Sequence, residues 1–464
     1  MSSTVEHSVK VSRAFAVEFK DIERWSVSAF RQLSWNWPTD TIKPLSAAMT
    51  RSLVPLNGAA TKCPVPMVTL RFTGEMELRS KRGKDEVKGK LFRAEAGDLV
   101  YSKIDVRNGS IGIVPDDIGA SAWTTEYPIY KVDASIADAL YLKLVIRSFA
   151  FQRMVNGLIS GASGRKRVEP SMIETLEIPL PSLATQRSIV AHWQSGMQQA
   201  AALETKAKKL VEEAQAGFVE ALGIGTNKAM NVPRAFALTS DQLERWSVGF
   251  LKQAIQGDAF SRSRFPVRRV SDVVADLENG WSPQCHSHPA KADEWGVLKL
   301  GAVSFGAYDE DENKALPSTL KPIPAYEIRS GDVLISRANV PRYVGACAVV
   351  HATRPKLLLC DKIFRVVFKP DSPLDGTYFA EVMKTPPLRQ QIEAAITGSS
   401  PTMQNITKTA LLGLRIPVPK LKEQHELVRA LTEGRAQAAR MKEQAEAKRR
   451  ETKEEVEGMV MGRN

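Results

Sequence analysis

Ile178-Pro179-Leu180-Pro181, with Gln186 shortly after it, returns later in the chain as Ile416-Pro417-Val418-Pro419 with Gln424. Proline fixes φ near about −65° and disfavours helix in the residue before it, so each run is a stiff, extended connector. What lies on either side differs. Before each run stand short apolar stretches bounded by Gly, Pro and Asp; after each comes a long polar stretch without proline. The connector therefore joins a globular body to a helix, and the chain makes that join twice.

Further matches follow the same order. Arg13-Ala14-Phe15-Ala16 returns at Arg234, and Glu23-Arg24-Trp25-Ser26-Val27 at Glu244, both at an offset of 221. Trp37-Pro38 matches Phe265-Pro266 at 228; Gly97-Asp98-Leu99-Val100 matches Gly331-Asp332-Val333-Leu334 at 234. Tyr141 and Gly161 match Tyr378 and Gly398 at 237, and the proline runs match at 238. Chance matches scatter in offset, whereas this offset only rises, as in a tandem duplication with small loop insertions. The copies span roughly 13–233 and 234–464, too long a period for a solenoid.

The reading divides the chain into an N-terminal segment 1–37, a first globular domain 38–181, a long helix 182–222, a linker with the repeated opening segment 223–265, a second globular domain 266–419 and a second long helix 420–464. The globular bodies read as α+β, with β-like runs at 98–101, 111–114, 332–335, 346–350 and 363–368 and helical stretches at 136–158 and 378–396. Over 182–222 the apolar spacing runs through Val190, Trp193, Met197, Val211 and Phe218, and Gly223 supplies a stop. The stripe recurs more weakly as Leu421, Val428 and Leu431, interrupted by Arg435 and Lys442. A helix about 60 Å long with so narrow a stripe wants a partner. Pairing the two as an antiparallel coiled coil is the simplest solution.

Composition bounds the function. The 464 residues carry 64 Lys and Arg against 52 Asp and Glu, a net charge of +12, with 43% hydrophobic and 25% charged residues. That is an ordinary globular mix with a basic surplus, which attracts polyanions, nucleic acid first. No stretch approaches the roughly 18 apolar residues of a membrane span, residues 1–10 lack the apolar core of a secretory signal, and four cysteines make no disulfide framework. The expectation is a cytoplasmic protein.

Catalytic signatures are missing. No G-x-x-x-x-G-K-[ST] phosphate loop, G-x-G-x-x-G turn, H-E-x-x-H helix, G-x-S-x-G elbow or Asn-Pro-Pro-aromatic run is present. Cys285-His286-Ser287-His288 has no second half at zinc spacing and reads as a surface loop; Asp361-Lys362 lacks the carboxylate partner of a nuclease motif and reads as a strand-edge pair. Three loop regions suit nucleic acid better. Residues 79–93 hold seven cations, among them Lys81, Arg82, Lys84, Lys88 and Lys90, against two anions, a density that suits phosphate tracking, although a solvated charged hairpin has the same composition. After the Gly-Asp strands come Lys103, Arg107 and Asn108 in the first copy, and Arg337, Asn339, Arg342 and Tyr343 in the second. Arg, Lys and Asn can make bidentate contacts to base edges. The third region is Arg165-Lys166-Arg167 in one copy and Gln404-Asn405 in the other. Equivalent scaffolds with divergent polar loops suit two domains that read different things.

This doubled order resembles the specificity subunit of a type I restriction–modification system, a phage-defence enzyme, over nearly the whole chain. Gly-Asp-hydrophobic-hydrophobic-x-Ser-(Lys/Arg), the stretch from Lys103 to Val114, Gln404-Asn405-Ile406 and the Glu-Arg-Trp-Ser-Val segments are similar to that family's pattern. The resemblance implies two target recognition domains, each reading half of a bipartite double-stranded DNA site, and paired helices that set the gap and dock two modification subunits. Restriction subunits with the motor would join that core. S-adenosylmethionine, ATP and Mg would sit on those partners, and this chain would bind no cofactor, hold no metal and have no catalytic residue. The different-class alternative is a single-chain DNA methyltransferase or nuclease with an unrecognised site. A nearer one is the DNA-reading subunit of another phage-defence methyltransferase complex.

Overall fold

The computed structural model describes residues 35–56, 65–79, 90–157, 167–225, 259–398 and 403–463. The repeated opening segments at 13–27 and 234–248, and Lys81, Arg82, Lys84, Lys88, Arg165 and Lys166, lie outside them. The chain forms two compact units, one from the residues up to Glu204 with Glu443 onward, the other from Thr205–Lys442. Each is built on the same plan.

In the first unit, strands β1 (Met49–Ser52), β2 (Leu99–Tyr101), β3 (Ile111–Ile113) and β4 (Ile129–Val132) form an antiparallel sheet in the order β1-β4-β2-β3. Every residue of β2 is buried, because the sheet is covered on both faces. Leu99, Tyr101 and Tyr130 face the helices at Ala139–Arg147 and Phe149–Gly157. Val100 and Ile129 face a smaller β layer with Trp123, Val68 and Leu70. Two-sided burial turns the expected alternation into apolar runs such as Leu99-Val100-Tyr101.

The second unit repeats this arrangement. Strands β5 (Val274–Asn279), β6 (Val333–Ser336), β7 (Cys347–Val349) and β8 (Ile363–Phe368) lie in the order β5-β8-β6-β7. Val333 and Ile335 face the helices at Gly376–Val382 and Pro386–Ala395, while Leu334 faces the β layer with Val297, Leu298 and Leu357. Where the sequence suggests one helical stretch, each unit has two short helices. The break falls at Ser148 in one and before Pro386-Pro387 in the other.

The proline connectors are strands. Glu177–Pro179 pairs with Ile42–Pro44, and Arg415–Pro417 with Val267–Arg269, so exit and entry of each domain are zipped together. Immediately beyond lies a duplicated joint. Gln186 is fully buried: its side-chain oxygen accepts from Asp138 N (2.9 Å), and its Nε2 donates to Ile136 O (2.9 Å) and Pro181 O (2.8 Å). Gln424, equally buried, accepts from Asp375 N (2.8 Å) and donates to Pro373 O (2.6 Å) and Pro419 O (2.7 Å). Tyr141 and Tyr378 donate their hydroxyls to Pro179 O (3.0 Å) and Pro417 O (2.9 Å). Each tyrosine follows an N-cap aspartate, Asp138 or Asp375, that fixes its helix.

The long helices span Leu183–Leu222 and Leu421–Val460. In the first unit His192 contacts Glu455 (2.8 Å), Gly196 faces Thr452, and Glu204 forms a two-point ion pair with Arg449 (2.7 Å for Nη2–Oε2). In the second, Ala214 faces Gly434. The paired numbers run in opposite directions, so the coiled coil is antiparallel. Its seam repeats every seven residues through Gln186, Trp193, Ala200, Ala207 and Ala214 on one helix and Gln424, Leu431, Ala438, Ala445 and Thr452 on the other. Ala200, Ala207, Ala438, Ala445 and Thr452 are at most 1% exposed. Small side chains let the backbones approach: a Cβ added to Gly434 would lie 2.7 Å from that of Ala214.

Of the residues expected at this packing, Val190, Phe218 and Leu431 are buried, Trp193 and Val428 pack on the core from its rim, and Met197 and Val211 are half-buried. Leu421 is a correction: it is 47% exposed. It opens the helix, and Gln424 takes the inward position of that first turn. Arg435 does not break the seam, because it reaches sideways to Glu381 (2.8 Å), and Lys442 is exposed. The helix ends also close each unit. Asn36 N donates to Met461 O (2.8 Å) and Trp37 Nε1 to Val460 O (2.9 Å); likewise Arg264 N donates to Leu222 O (3.0 Å).

Candidate nucleic-acid interface

The strand–loop regions singled out from sequence occupy equivalent places. In the first unit the loop after β2 is a single 3₁₀ turn, Val106–Asn108, ended by Gly109 in the left-handed region at φ 94°. Ser102 and Asp105 shape it, Ser102 Oγ accepting from Asp105 N (3.1 Å). Asn108 is exposed and Arg107 half-buried, and Arg107 Nε is buried without a hydrogen-bond partner. Lys103 and Arg167 are already engaged. Lys103 pairs with Glu169 (3.2 Å) at only 16% side-chain exposure, and Arg167 pairs with Glu126 (3.2 Å). Both act as straps across the loop base, because Val168 N donates to Lys103 O (2.8 Å) and draws the 167–169 segment in. Lys90 is exposed at the edge of strand Leu91–Ala94, just beyond the undescribed cationic run.

In the second unit the two sequence-separated polar regions meet. Ala338–Asn339 and Gln404–Asn405 pair as a two-stranded antiparallel ribbon, Asn339 opposite Gln404 and Ala338 opposite Asn405. The ribbon is held at its base by Ile406 N donating to Arg337 O (3.0 Å) and by Asn405 pairing with Thr397. Asn405 is exposed, while Asn339 spends its Oδ1 on Val340 N (2.8 Å). Beside the ribbon a cleft of about 520 Å³ is lined by Arg337, Asn405, Asn279, Tyr326, Phe364 and Lys408, among others. Arg337 lies over the Phe364 ring (5.6 Å) and donates to Asp361 O (3.2 Å).

Arg342 and Tyr343 form the 3₁₀ turn Pro341–Tyr343, the counterpart of Val106–Asn108. Arg342 is exposed, and its guanidinium stacks on the Tyr343 ring at 4.5 Å. Tyr343 stacks in turn on Phe305 (5.8 Å), and Arg389 covers the Phe305 ring at 5.0 Å. Sequence reasoning missed Arg389 and its first-unit analogue Arg147. Each comes from a helix and donates to the backbone at the 3₁₀ turn: Arg389 to Val344 O (2.8 Å) and Arg342 O (3.3 Å), Arg147 to Gly109 O (2.7 Å). Burial lowers both guanidinium pKa values from their ordinary range. Nothing in a helical apolar pattern marks an arginine as reaching a loop carbonyl so far along the chain.

Other candidates resolve differently. Asp361 accepts from Ser282 and pairs with Lys362 (3.0 Å) at the mouth of β8. Burial opposes its charge, but those hydrogen bonds hold its pKa below the ordinary value. His286 and His288 stack on each other at 5.2 Å, and among the described residues no group of three or more His, Cys, Asp or Glu gathers as metal ligands. Cys285, Cys347 and Cys360 are free; burial pushes the Cys347 thiol up to about 12 and that of Cys360 to about 11, far from a reactive thiolate. No described helix is long and apolar enough to cross a membrane.

Comparison with known proteins gives these arrangements a context. The chain is 26% identical over 423 residues to the type I restriction enzyme EcoEI specificity subunit of Escherichia coli, covering 77% of this chain and 70% of that protein. It is 30% identical over 130 residues to the EcoAI specificity subunit of the same species, covering 27% of this chain and 22% of that one. A solved chain described for complex assembly and conformational transition of the type I R-M system has the same fold at a TM-score of 0.52, with 17% identity over 90% of this chain and 96% of that chain. No family model matches the sequence.

Proposed function

We propose that the chain, like the type I restriction enzyme specificity subunits it is similar to, is a specificity subunit that reads a bipartite double-stranded DNA site, one half with each globular domain. One observation carries this reading: the same sheet, joint and 3₁₀ turn occur twice, while the side chains they present differ. Arg107 and Asn108 serve the first half-site; Arg342, Tyr343, Gln404 and Asn405 serve the second. A good bidentate pair to a base edge discriminates by about 1–3 kcal/mol. Lys81, Arg82, Lys84, Lys88, Lys90, Arg165 and Lys166 neutralise phosphates, so affinity falls steeply with salt. Two half-sites held by one chain make the second contact effectively intramolecular.

In this reading the chain is not itself catalytic and binds no cofactor. Two modification subunits bring S-adenosylmethionine, and restriction subunits bring ATP and Mg. The assembly works in the cytoplasm. The deciding experiment replaces residues 38–181 with the corresponding domain of another specificity subunit and maps methylated bases in the host genome. One half of the methylated site should change and the other stay. A change in both halves would overturn the two-reader assignment, and DNA cleavage or methylation by the purified chain alone would replace it with the single-chain enzyme.

A further inference from the structure

Three phenylalanines are exposed among the described residues, Phe72, Phe149 and Phe305. Two of them occupy matching places. Phe72 lies in the turn joining Val68–Leu70 to Met76–Leu78, and Phe305 in the turn closed by the Val303–Tyr308 bridge. Each turn is completed by a glycine in the left-handed region, Gly74 at φ 78° and Gly306 at φ 77°. Each glycine sits on the first residue of the equivalent edge strand. A Cβ on Gly74 would stand 2.7 Å from Ile111 O, and Gly306 N donates to Cys347 O (2.9 Å).

Both turns are tied to the neighbouring reading turn by a half-buried arginine, though from different helices. Arg147 bridges Phe72 O (3.2 Å) and Gly109 O (2.7 Å). Arg389 covers the Phe305 ring and holds Val344 O and Arg342 O. The fold thus fixes a ring that is 58% exposed in one copy and 40% in the other next to the residues assigned to base reading. Phe72 stands beside the Arg107–Asn108 turn, and Phe305, stacked on Tyr343 and covered by Arg389, keeps its remaining open surface beside Arg342; one small ring beside such polar groups is a poor seat for an apolar protein surface. It suits a flat π-face flanked by phosphates.

We propose that Phe72 and Phe305 are paired DNA-stacking residues, each packing its ring on a base step it partly unstacks, beside the half-site its own domain reads. The proposal rests on the reading above and adds to it a specific contact and a local distortion of the duplex. The loss of either ring weakens site binding about tenfold, within the range of base–aromatic stacking, and leaves the salt slope unchanged because no cation is removed.

The test uses the full chain. Its site is first selected from random duplexes, and 2-aminopurine is then walked along that site. Two positions, one per half-site, should brighten on binding. Phe72→Ala should remove one signal and Phe305→Ala the other, whereas Phe→Trp at either place should keep both. Because both rings are exposed, these variants leave the cores intact, which thermal melting checks. A selected site with no brightening, or brightening indifferent to both alanine variants or lost for only one copy, overturns the proposal alone. Failure to select any site overturns the DNA-reading assignment, and the proposal falls with it.

Discussion

At their joints the two units copy one another almost atom for atom; a short distance away they solve the same problem with opposite chemistry. Gln186 and Gln424 make the same three hydrogen bonds. Yet where the second unit docks its short helix on the long one through Glu381, flanked by Arg435 (2.8 Å) and Lys384 (2.5 Å), the first has Leu144 and Met197 at the equivalent positions. The difference teaches what each feature is for. A buried amide that satisfies three backbone groups has no close substitute, so the joint is repeated. A flank that needs only to be filled accepts either an ion pair or two apolar side chains.

The comparison breaks most readily at the joints. Gln186→Leu and Gln424→Leu each leave a buried N–H and two buried carbonyls unpaired, and should each cost about 3 kcal/mol in denaturant unfolding. The two losses should agree within about 1 kcal/mol; a large loss at one position alone would end the equivalence. Gly196→Ala drives a methyl into Thr452 and Gly434→Ala one into Ala214, so each should cost about 1–3 kcal/mol, the larger loss at Gly196, where the approach is closer. Equal stability of both variants would mean that the helices are not in close backbone contact.

Glu381→Gln sharpens the contrast. It leaves Arg435 without its anion and should cost about 2 kcal/mol, less than a fully buried pair because Arg435 is 32% exposed. Burial works against the Glu381 charge, but the hydrogen bond from Arg435 and the Lys384 ammonium hold its pKa below the ordinary 4.5. For a carboxylate lowered on folding, the stabilisation is present above the unfolded value and is lost as pH falls through the folded one. The gap between wild type and variant should therefore shrink on acidification from pH 6 to below about 4. Leu144→Ala should show a loss independent of pH over the same range. The smallest effect belongs to the tyrosines: Tyr141→Phe and Tyr378→Phe each remove one hydroxyl donor to a proline carbonyl and should cost about 1 kcal/mol, read as matching small shifts in the melting midpoint.

Particular residues show how far the sequence reaches. The duplication was legible because Ile-Pro-hydrophobic-Pro, Gly-Asp and the single Gln recur in order, and because each does a job that other residue types do badly. The first helix followed from a glycine stop and uninterrupted polar spacing to within one residue of Leu183–Leu222, and the second began one residue from Leu421 but ends at Val460, four residues before the expected 464. The direction of some side chains was not legible. Leu421 fits the apolar spacing but precedes the seam, and Lys103 and Arg167 read as free cations but are held by Glu169 and Glu126. Their partners lie far along the chain, where no local pattern announces them.

The sequence by itself determined the two-copy plan and the position of each joint, and made an antiparallel helix pair the simplest expectation, because periodicity and proline act through local sterics and repeat with the chain. Only the tertiary structure decided that Asn339 and Gln404 share one ribbon, that Arg147 and Arg389 clamp equivalent turns from different helices, and that Phe72 and Phe305 stand exposed at matching places. Those contacts join residues tens of positions apart, and the free energy that selects them comes from packing both faces of a sheet at once, which a linear pattern does not encode.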